Sequence, residues 1–130
     1  MADNKATLEQ VEAFLEEFRV KARVFGIYYN SDKEENVQTL LDLELPAGKR
    51  DEYILSLRPK DYYQGPAEND YDPEEGNVWM FGIGIKKNGR GKKIPIYIKI
   101  YITKINGVAN YCISFHKAKF EMTFPYKSEL

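Results

Sequence analysis

The amino-acid sequence predicts an α+β fold in which N-terminal helices pack on one face of a C-terminal antiparallel β-sheet. Apolar residues recur at three- and four-residue spacing in the first half of the chain, whereas the second half contains long runs that alternate in polarity. Helical patterns that precede a block of strands are typical of the α+β class. With 130 residues, of which 43% are hydrophobic, we expect a single domain that spans residues 1–130.

The first helix is the most clearly patterned element. Residues 7–25 are amphipathic, and Thr7 followed by Gln10 is a capping-box pattern. Gly26 is expected to end the helix, and the following "IYYN" is a candidate short strand. The residues expected to face inward are Leu8, Val11, Leu15, Phe18, Ala22 and Phe25.

Two more helices complete the predicted helical part, which occupies about residues 7–58. The second is expected over 33–44, and the third from Pro46 to about Leu57, because a proline suits the first turn of a helix. Pro59 then ends the helical part. The residues expected to face inward are Val37, Leu40 and Leu41 in the second helix and Tyr53, Ile54 and Leu57 in the third.

The C-terminal half is predicted to form a β-meander. Residues 61–76 contain six acidic residues, two prolines and two glycines, so we expect an irregular acidic loop. Three strands follow at 77–86, 92–103 and 108–118, joined by "KNGRG" and "KING". Residues 119–130 are expected to form a C-terminal tail.

Strand alternation assigns side chains to the two faces of this sheet, because successive residues point to opposite sides. The core face is expected to carry Trp79, Phe81, Ile83, Ile85, Ile96, Ile98, Ile100, Ile102, Tyr111, Ile113 and Phe115. The other face, called the open face below, is expected to carry Met80, Gly82, Gly84, Tyr97, Lys99, Tyr101, Thr103, Cys112, Ser114 and His116. An imidazole, phenols and an ammonium group suit polyanion chemistry. An ordinary solvent-facing sheet side has a similar composition.

Charge is segregated along the chain although the net charge is only −1. Residues 76–120 contain nine Lys and Arg residues and no Asp or Glu, so the rest of the chain carries 10 basic and 20 acidic residues. A basic half on an acidic body can attract a polyanion. Lysines also protect exposed strand edges from aggregation, and the sequence leaves both interpretations open.

The single cysteine and the single histidine limit the chemistry. One cysteine cannot form an internal disulfide, and no secretory signal or apolar run of about 20 residues is visible, so we expect a soluble cytoplasmic protein that does not insert into a membrane. Cys112 and His116 are four residues apart on one strand, which separates them by roughly 13 Å. Cys112 is therefore expected to be a packed thiol, and we expect neither a metal site nor a cofactor.

Four segments in order resemble the MqsR family of type II toxins. They are "KDYYQGP", Trp79 after the acidic loop, "IYIKI" and "CISFHKAK", and the family pattern is Asp-Phe-Tyr-Lys, a loop that ends in Trp, Val-Tyr-Leu-Lys and Ser-Phe-Lys. The opening "FLEEFRVKARVFGIYYN" resembles members from the Bacteroidetes branch. The resemblance covers most of residues 10–119. It implies a RelE-like fold, ribosome-independent cleavage of mRNA on the open face, and a cognate antitoxin as the protein partner.

The resemblance also assigns individual residues. Tyr97 and Lys99 match the family's strand Tyr and Lys, and Tyr63 matches the Tyr before its first catalytic lysine. That lysine is replaced by Gln64. The Gln that follows the family's Trp falls on Met80, and the Lys of its Ser-Phe-Lys falls on His116. Three of the four catalytic positions therefore differ, although relatives in the wider RelE superfamily are similar in using a C-terminal histidine.

The resulting hypothesis is a metal-independent endoribonuclease. His116 is the candidate base or acid with Tyr97 as its partner, and Lys99 is the candidate cation for the phosphate. The candidate RNA-binding residues are Tyr63, Gln64, Tyr101 and Lys117. Whether the mRNA is bound on ribosomes stays open. The alternative is a non-catalytic protein-binding domain on a RelE-like scaffold, which Gln64 and a pI of about 5.9 favour.

Overall fold

A five-stranded mixed sheet organises the fold. The computed structural model describes residues 5–30, 33–70, 72–103 and 110–129. The elements in chain order are α1 (Leu8–Phe25), β1 (Ile27–Tyr29), α2 (Glu34–Leu43), α3 (Lys49–Leu55), β2 (Tyr62–Ala67), β3 (Val78–Lys87), β4 (Arg90–Ile102) and β5 (Asn110–Lys117), with short 3-10 turns at Pro59–Asp61 and Lys127–Glu129. The predicted α+β class is confirmed. No helix in the described ranges is long and apolar enough to cross a lipid bilayer.

Helix α1 forms as the sequence predicts. The Thr7 hydroxyl accepts a hydrogen bond from the Gln10 backbone N–H (3.1 Å), and the Gln10 side chain accepts one from Thr7 N–H (2.8 Å). Gly26 ends the helix with a positive φ of 76°. The buried residues of α1 are Val11, Phe14, Leu15 and Phe18. Phe25, expected inside, is 45% exposed, because it lies in the last turn beyond the edge of the core.

The sheet order is β1-β5-β4-β3-β2. Strands β3, β4 and β5 form the predicted antiparallel meander, and Asn88 and Gly89 both adopt positive φ in its first turn. The second predicted turn, "KING", lies outside the described residues. Strand β1 pairs in parallel with β5, Ile27 opposite Asn110, so the sheet is mixed where an antiparallel one was expected.

Strand β2 occupies part of the segment expected to be an irregular loop. Tyr62–Ala67 pairs with β3, and Tyr62 is fully buried in the main core. The expectation for residues 61–76 was wrong at this point because β2 is an edge strand, where Pro66 interrupts no second ladder of hydrogen bonds. The irregular acidic segment is shorter than predicted.

Helix α2 covers the edge of β5 beyond the end of β1. The Asn36 side chain donates to Ile113 O (3.0 Å) and accepts from Phe115 N–H (3.0 Å), while the Thr39 hydroxyl accepts from Lys117 N–H (3.0 Å). Two polar side chains thus replace a neighbouring strand. The expected inward residues Val37 and Leu41 are instead 46% and 66% exposed. The unpaired backbone groups of β5 decide which face of α2 turns inward, since buried N–H and C=O groups require partners.

Helix α3 begins three residues later than predicted. Pro46 and Ala47 first form a turn in which their carbonyls accept from Lys49 N–H (3.0 Å) and Arg50 N–H (3.2 Å). Ile54 and Leu57 are buried as expected, and they pack in the same core cluster as the β4 isoleucines. Helices α1 and α3 therefore lie on the core face of the sheet.

A β-bulge in β5 changes the predicted face of three side chains. Lys99 pairs with Ser114, but the next β4 residue, Ile100, pairs with Cys112, so Ile113 is the extra residue. Cys112 therefore belongs to the main core, while Ile113 packs in a second cluster on the open face. Tyr111 also lies on the open face, opposite Tyr101. Strict alternation placed all three on the wrong side, because one inserted residue reverses the faces of everything before it.

Gly65 in β2 is a position where a side chain should destabilise the fold. Its φ is +114°, and an added Cβ would lie 2.8 Å from the carbonyl oxygen of Val78. We expect Gly65→Ala to lower the free energy of unfolding by about 1–3 kcal/mol in urea denaturation. Gly48→Ala is the matched control, because its added methyl has no atom within 4 Å. Equal unfolding midpoints for the two variants would contradict this expectation.

Candidate active site on the open sheet face

Two cross-strand pairs form the centre of the open face. Tyr97 lies opposite His116, and Lys99 lies opposite Ser114. Directly opposite residues in an antiparallel sheet have Cβ atoms about 4.5–5.5 Å apart. The ring centroids of Tyr97 and His116 are 5.5 Å apart. The structure thus brings together the three residues predicted to be catalytic, because the bulge lies beyond them in β5.

His116 is held in one tautomer. Its Nδ1 lies 2.9 Å from the backbone oxygen of Lys117. A carbonyl oxygen only accepts hydrogen bonds, so Nδ1 carries the proton and donates it, which leaves the lone pair of a neutral ring on Nε2. Nε2 forms no hydrogen bond with the described residues. This nitrogen is the one that can take a proton from a substrate.

Burial favours the neutral form of the His116 imidazole. The residue is only 6% exposed, and burial is the main cause that lowers its pKa. Lys33 and Lys119 lower the pKa further, whereas the Lys117 carbonyl and Glu35 oppose the shift. A lowered pKa favours the unprotonated ring at neutral pH. His116 is therefore suited to act first as a base.

Tyr97 is a neutral phenol beside this base. Burial raises its pKa to about 12, and the nearby Tyr63 adds to the shift. A phenol in this state keeps its proton at neutral pH and can donate it in a hydrogen bond. The Tyr97–His116 pair thus combines a proton donor with a proton acceptor.

Two lysines lie beside Ser114, and one of them bonds its hydroxyl. Lys33 precedes α2 and donates from Nζ to Ser114 Oγ (2.9 Å), while Lys99 comes from the neighbouring strand. Burial and then repulsion by Lys33 lower the pKa of Lys99, and Asp70 opposes that shift. Among the described residues, neither lysine forms an ion pair with a carboxylate. No sequence pattern indicated Lys33, which is 81 residues from Ser114.

The four predicted RNA-binding residues do not lie together as the predicted catalytic residues do. Tyr101 is 1% exposed, and its hydroxyl donates to Glu75 (2.8 Å), so its ring has little surface for a base. Gln64 is exposed on the edge strand, where it pairs with Met80. Lys117 forms an ion pair with Asp42 of α2 (2.7 Å), away from Lys99. Tyr63 is the member that lies near Tyr97.

Helix α2 neutralises part of the basic half of the chain. Its carboxylates and that of Glu44, which follows it, pair with three lysines of the segment that the sequence identifies as basic. The pairs are Lys87–Glu44, Lys117–Asp42 and Lys119–Glu35. The net positive charge of this part of the fold is therefore smaller than the sequence indicates, and Lys33 and Lys99 are the lysines beside Ser114.

The C-terminal tail crosses the open face. The ring of Phe120 packs edge-on against Tyr97 (5.6 Å between centroids) and near Tyr63 (6.0 Å). Further along, Met122 and Phe124 approach within 3 Å of the position that a Cβ of Gly82 would occupy. Gly82 thus provides the space in which the tail packs. The sequence did not indicate this contact, although the tail contains two phenylalanines.

Cys112 does not take part in this site. It is 2% exposed in the main core, and burial raises its pKa to about 12. A protonated buried thiol is a poor nucleophile. The expectation of a packed thiol is confirmed, although the thiol lies on the opposite face from the one predicted.

Fold and site together define an α+β domain with a histidine–tyrosine pair and two lysines on one sheet face. The described residues contain no group of three or more His, Cys, Asp and Glu placed to hold a metal ion. Comparisons with protein-family models, with curated proteins and with solved structures found no match for this chain.

Proposed function

We propose that this protein is a metal-independent endoribonuclease that acts on mRNA as the toxin of a type II toxin–antitoxin pair. The observation that carries the proposal is the pairing of His116 with Tyr97, two residues along β4 from Lys99, where His116 Nε2 has no hydrogen-bond partner among the described residues. Cleavage by the 2′-OH of RNA needs a base, an acid and a cation, and these three side chains can supply them. The cognate antitoxin is the proposed protein partner.

The proposed reaction is an in-line displacement at phosphorus. His116 Nε2 takes the proton from the ribose 2′-OH, whose oxygen forms a bond to the adjacent phosphorus. The bond from phosphorus to the 5′-oxygen breaks, and the Tyr97 phenol donates a proton to that oxygen. Lys99 stabilises the negative charge that develops on the phosphoryl oxygens. The products are a 2′,3′-cyclic phosphate and a 5′-hydroxyl, and solvent restores the two protonation states.

The direct test is an incubation of the purified protein with single-stranded RNA in the presence of EDTA. We expect fragments that end in a 2′,3′-cyclic phosphate, whereas an oligonucleotide of the same sequence with 2′-O-methyl groups should stay intact because its nucleophile is blocked. Intact RNA after prolonged incubation would contradict the proposal, and cleavage of the 2′-O-methyl oligonucleotide would contradict the mechanism.

A second candidate function is a non-catalytic protein-binding domain. The observation in its favour is that the acidic segment lies against the open face: Glu75 accepts from Tyr101, and Asp70 lies close enough to Lys99 to raise its pKa. These carboxylates weaken the attraction for RNA. Absence of cleavage, together with tight binding of the product of the neighbouring reading frame, would favour this function.

A further inference from the structure

We propose that Lys33 and Lys99, with Ser114 holding Lys33 in place, form the binding site for one phosphodiester group of RNA, the one that is cleaved. The nature of the ligand rests on the proposed function. The new element is Lys33, which the residues of β4 and β5 alone do not indicate. Three elements contribute to this phosphate site: the residue that precedes α2, strand β4 and strand β5.

Ser114 positions Lys33 in the phosphate site. Its side chain is fully buried, and its hydroxyl accepts the hydrogen bond from Lys33 Nζ (2.9 Å). Lys99 stands opposite Ser114 in the sheet register, so its position is set by two paired strands. A donor held by a rigid sheet loses little freedom when a ligand binds, which favours affinity.

The charges around Ser114 favour an anion. Two ammonium groups disfavour each other, and among the described residues no carboxylate lies within ion-pair distance of either. Glu35 of α2, which lies near Lys33, is already paired with Lys119, and Glu34, which follows Lys33 in the chain, is exposed. Asp70 is the carboxylate that acts on Lys99, and it offsets only part of this charge. A phosphodiester has one negative charge and two free oxygens, which match two ammonium donors.

The phosphate site also lies at the right distance from the reacting pair. Ser114 and His116 are alternate residues of β5, and Lys99 and Tyr97 are alternate residues of β4. Alternate residues on a strand are about 7 Å apart at Cα and point to the same face. Side chains of this length can therefore reach the phosphorus and the 2′-OH of one nucleotide at the same time.

Binding of an uncleavable oligonucleotide tests the phosphate site separately from catalysis. We expect Lys33→Gln to weaken binding of single-stranded 2′-O-methyl RNA about tenfold or more, because a charge-assisted contact is lost. The slope of log affinity against log salt concentration should become shallower by about 0.7, the value for one phosphate contact with a single strand. Lys33→Arg should retain most of the affinity.

Lys49→Gln is the matched control. It removes one positive charge from α3, where Lys49 pairs with Glu52 on the other side of the sheet, so both affinity and slope should stay at the parent values. If Lys33→Gln behaves like Lys49→Gln, or if the parent protein does not bind the oligonucleotide, the phosphate site is refuted. A parent protein that binds the oligonucleotide with a salt dependence that Lys33→Gln reduces, but does not cut RNA, would refute the proposed cleavage and still support Lys33 and Lys99 as a site for an RNA phosphate.

Discussion

We expect His116→Ala to lower kcat/KM for RNA cleavage by about 10²–10⁴, the usual effect of removing a proton-transfer group. The variant retains Lys99 and Tyr97 but has no group to take the proton from the 2′-OH. The fold should persist, because the one hydrogen bond that the His116 side chain forms within the described part of the chain is to its own neighbouring carbonyl. The measurement is the initial rate of cleavage of a fluorogenic RNA at low substrate concentration.

The accompanying controls distinguish chemistry from packing. His116→Gln keeps most of the volume and a hydrogen-bonding group, so it should unfold at nearly the parent temperature and yet be as inactive as His116→Ala. Added imidazole should restore part of the activity of His116→Ala, since a small base can enter the space left by the ring. If His116→Gln cleaves RNA at the parent rate, His116 is not the base.

The pH dependence follows from the direction of the His116 pKa shift. Because burial lowers the pKa of His116 below its ordinary value of 6.5, the base form is already dominant near that pH. The rate of cleavage should therefore rise with pH through the lowered pKa and level off above it, so the acidic limb of the pH–rate profile should lie below pH 6.5.

The same pKa shift affects stability. A neutral buried histidine contributes stability at pH values above its unfolded pKa, and that contribution is lost as the pH falls through the folded pKa. The free energy of unfolding of His116→Ala should therefore not show this loss as the pH falls.

We expect Asn36→Ala to lower the free energy of unfolding by about 2–6 kcal/mol, because it leaves a buried carbonyl and a buried N–H of β5 without partners. The Asn36 side chain is 3% exposed and bonds Ile113 O, Phe115 N–H and Asn30 O. Each unsatisfied buried group costs about 1–3 kcal/mol. Urea denaturation at constant m-value is the appropriate measurement.

Gln38 on the same helix provides the comparison. Its side chain is exposed and donates a hydrogen bond to Asp42 of the same helix, so Gln38→Ala should change the free energy of unfolding by less than about 0.5 kcal/mol. Asn36→Asp should also destabilise, because a carboxylate oxygen would then face the carbonyl of Ile113 in place of an N–H donor. A stability of Asn36→Ala equal to that of Gln38→Ala would mean that α2 does not complete the edge of β5.

Local sequence signals were sufficient for much of this fold. The capping box at Thr7, the stop at Gly26 and the turn at Asn88 depend on contacts within a few residues, and all three lie where they were predicted. Alternation along β4 and the C-terminal part of β5 likewise brought Tyr97, Lys99 and His116 to one face. Regular strands preserve the two-residue period as long as no residue is inserted.

Tertiary structure decided the remaining features. Four features depend on partners that are far away in the sequence. They are the bulge at Ile113, the strand at Tyr62–Ala67, the inward face of α2 and the contact of Lys33 with Ser114. A polar face of α2 lies inward because hydrogen bonds to the backbone groups at the edge of β5 stabilise the fold more than burial of Val37 and Leu41 would. The sequence by itself therefore determined the α+β class and the predicted catalytic pair. Long-range hydrogen bonding and strand register decided which further charges stand beside that pair.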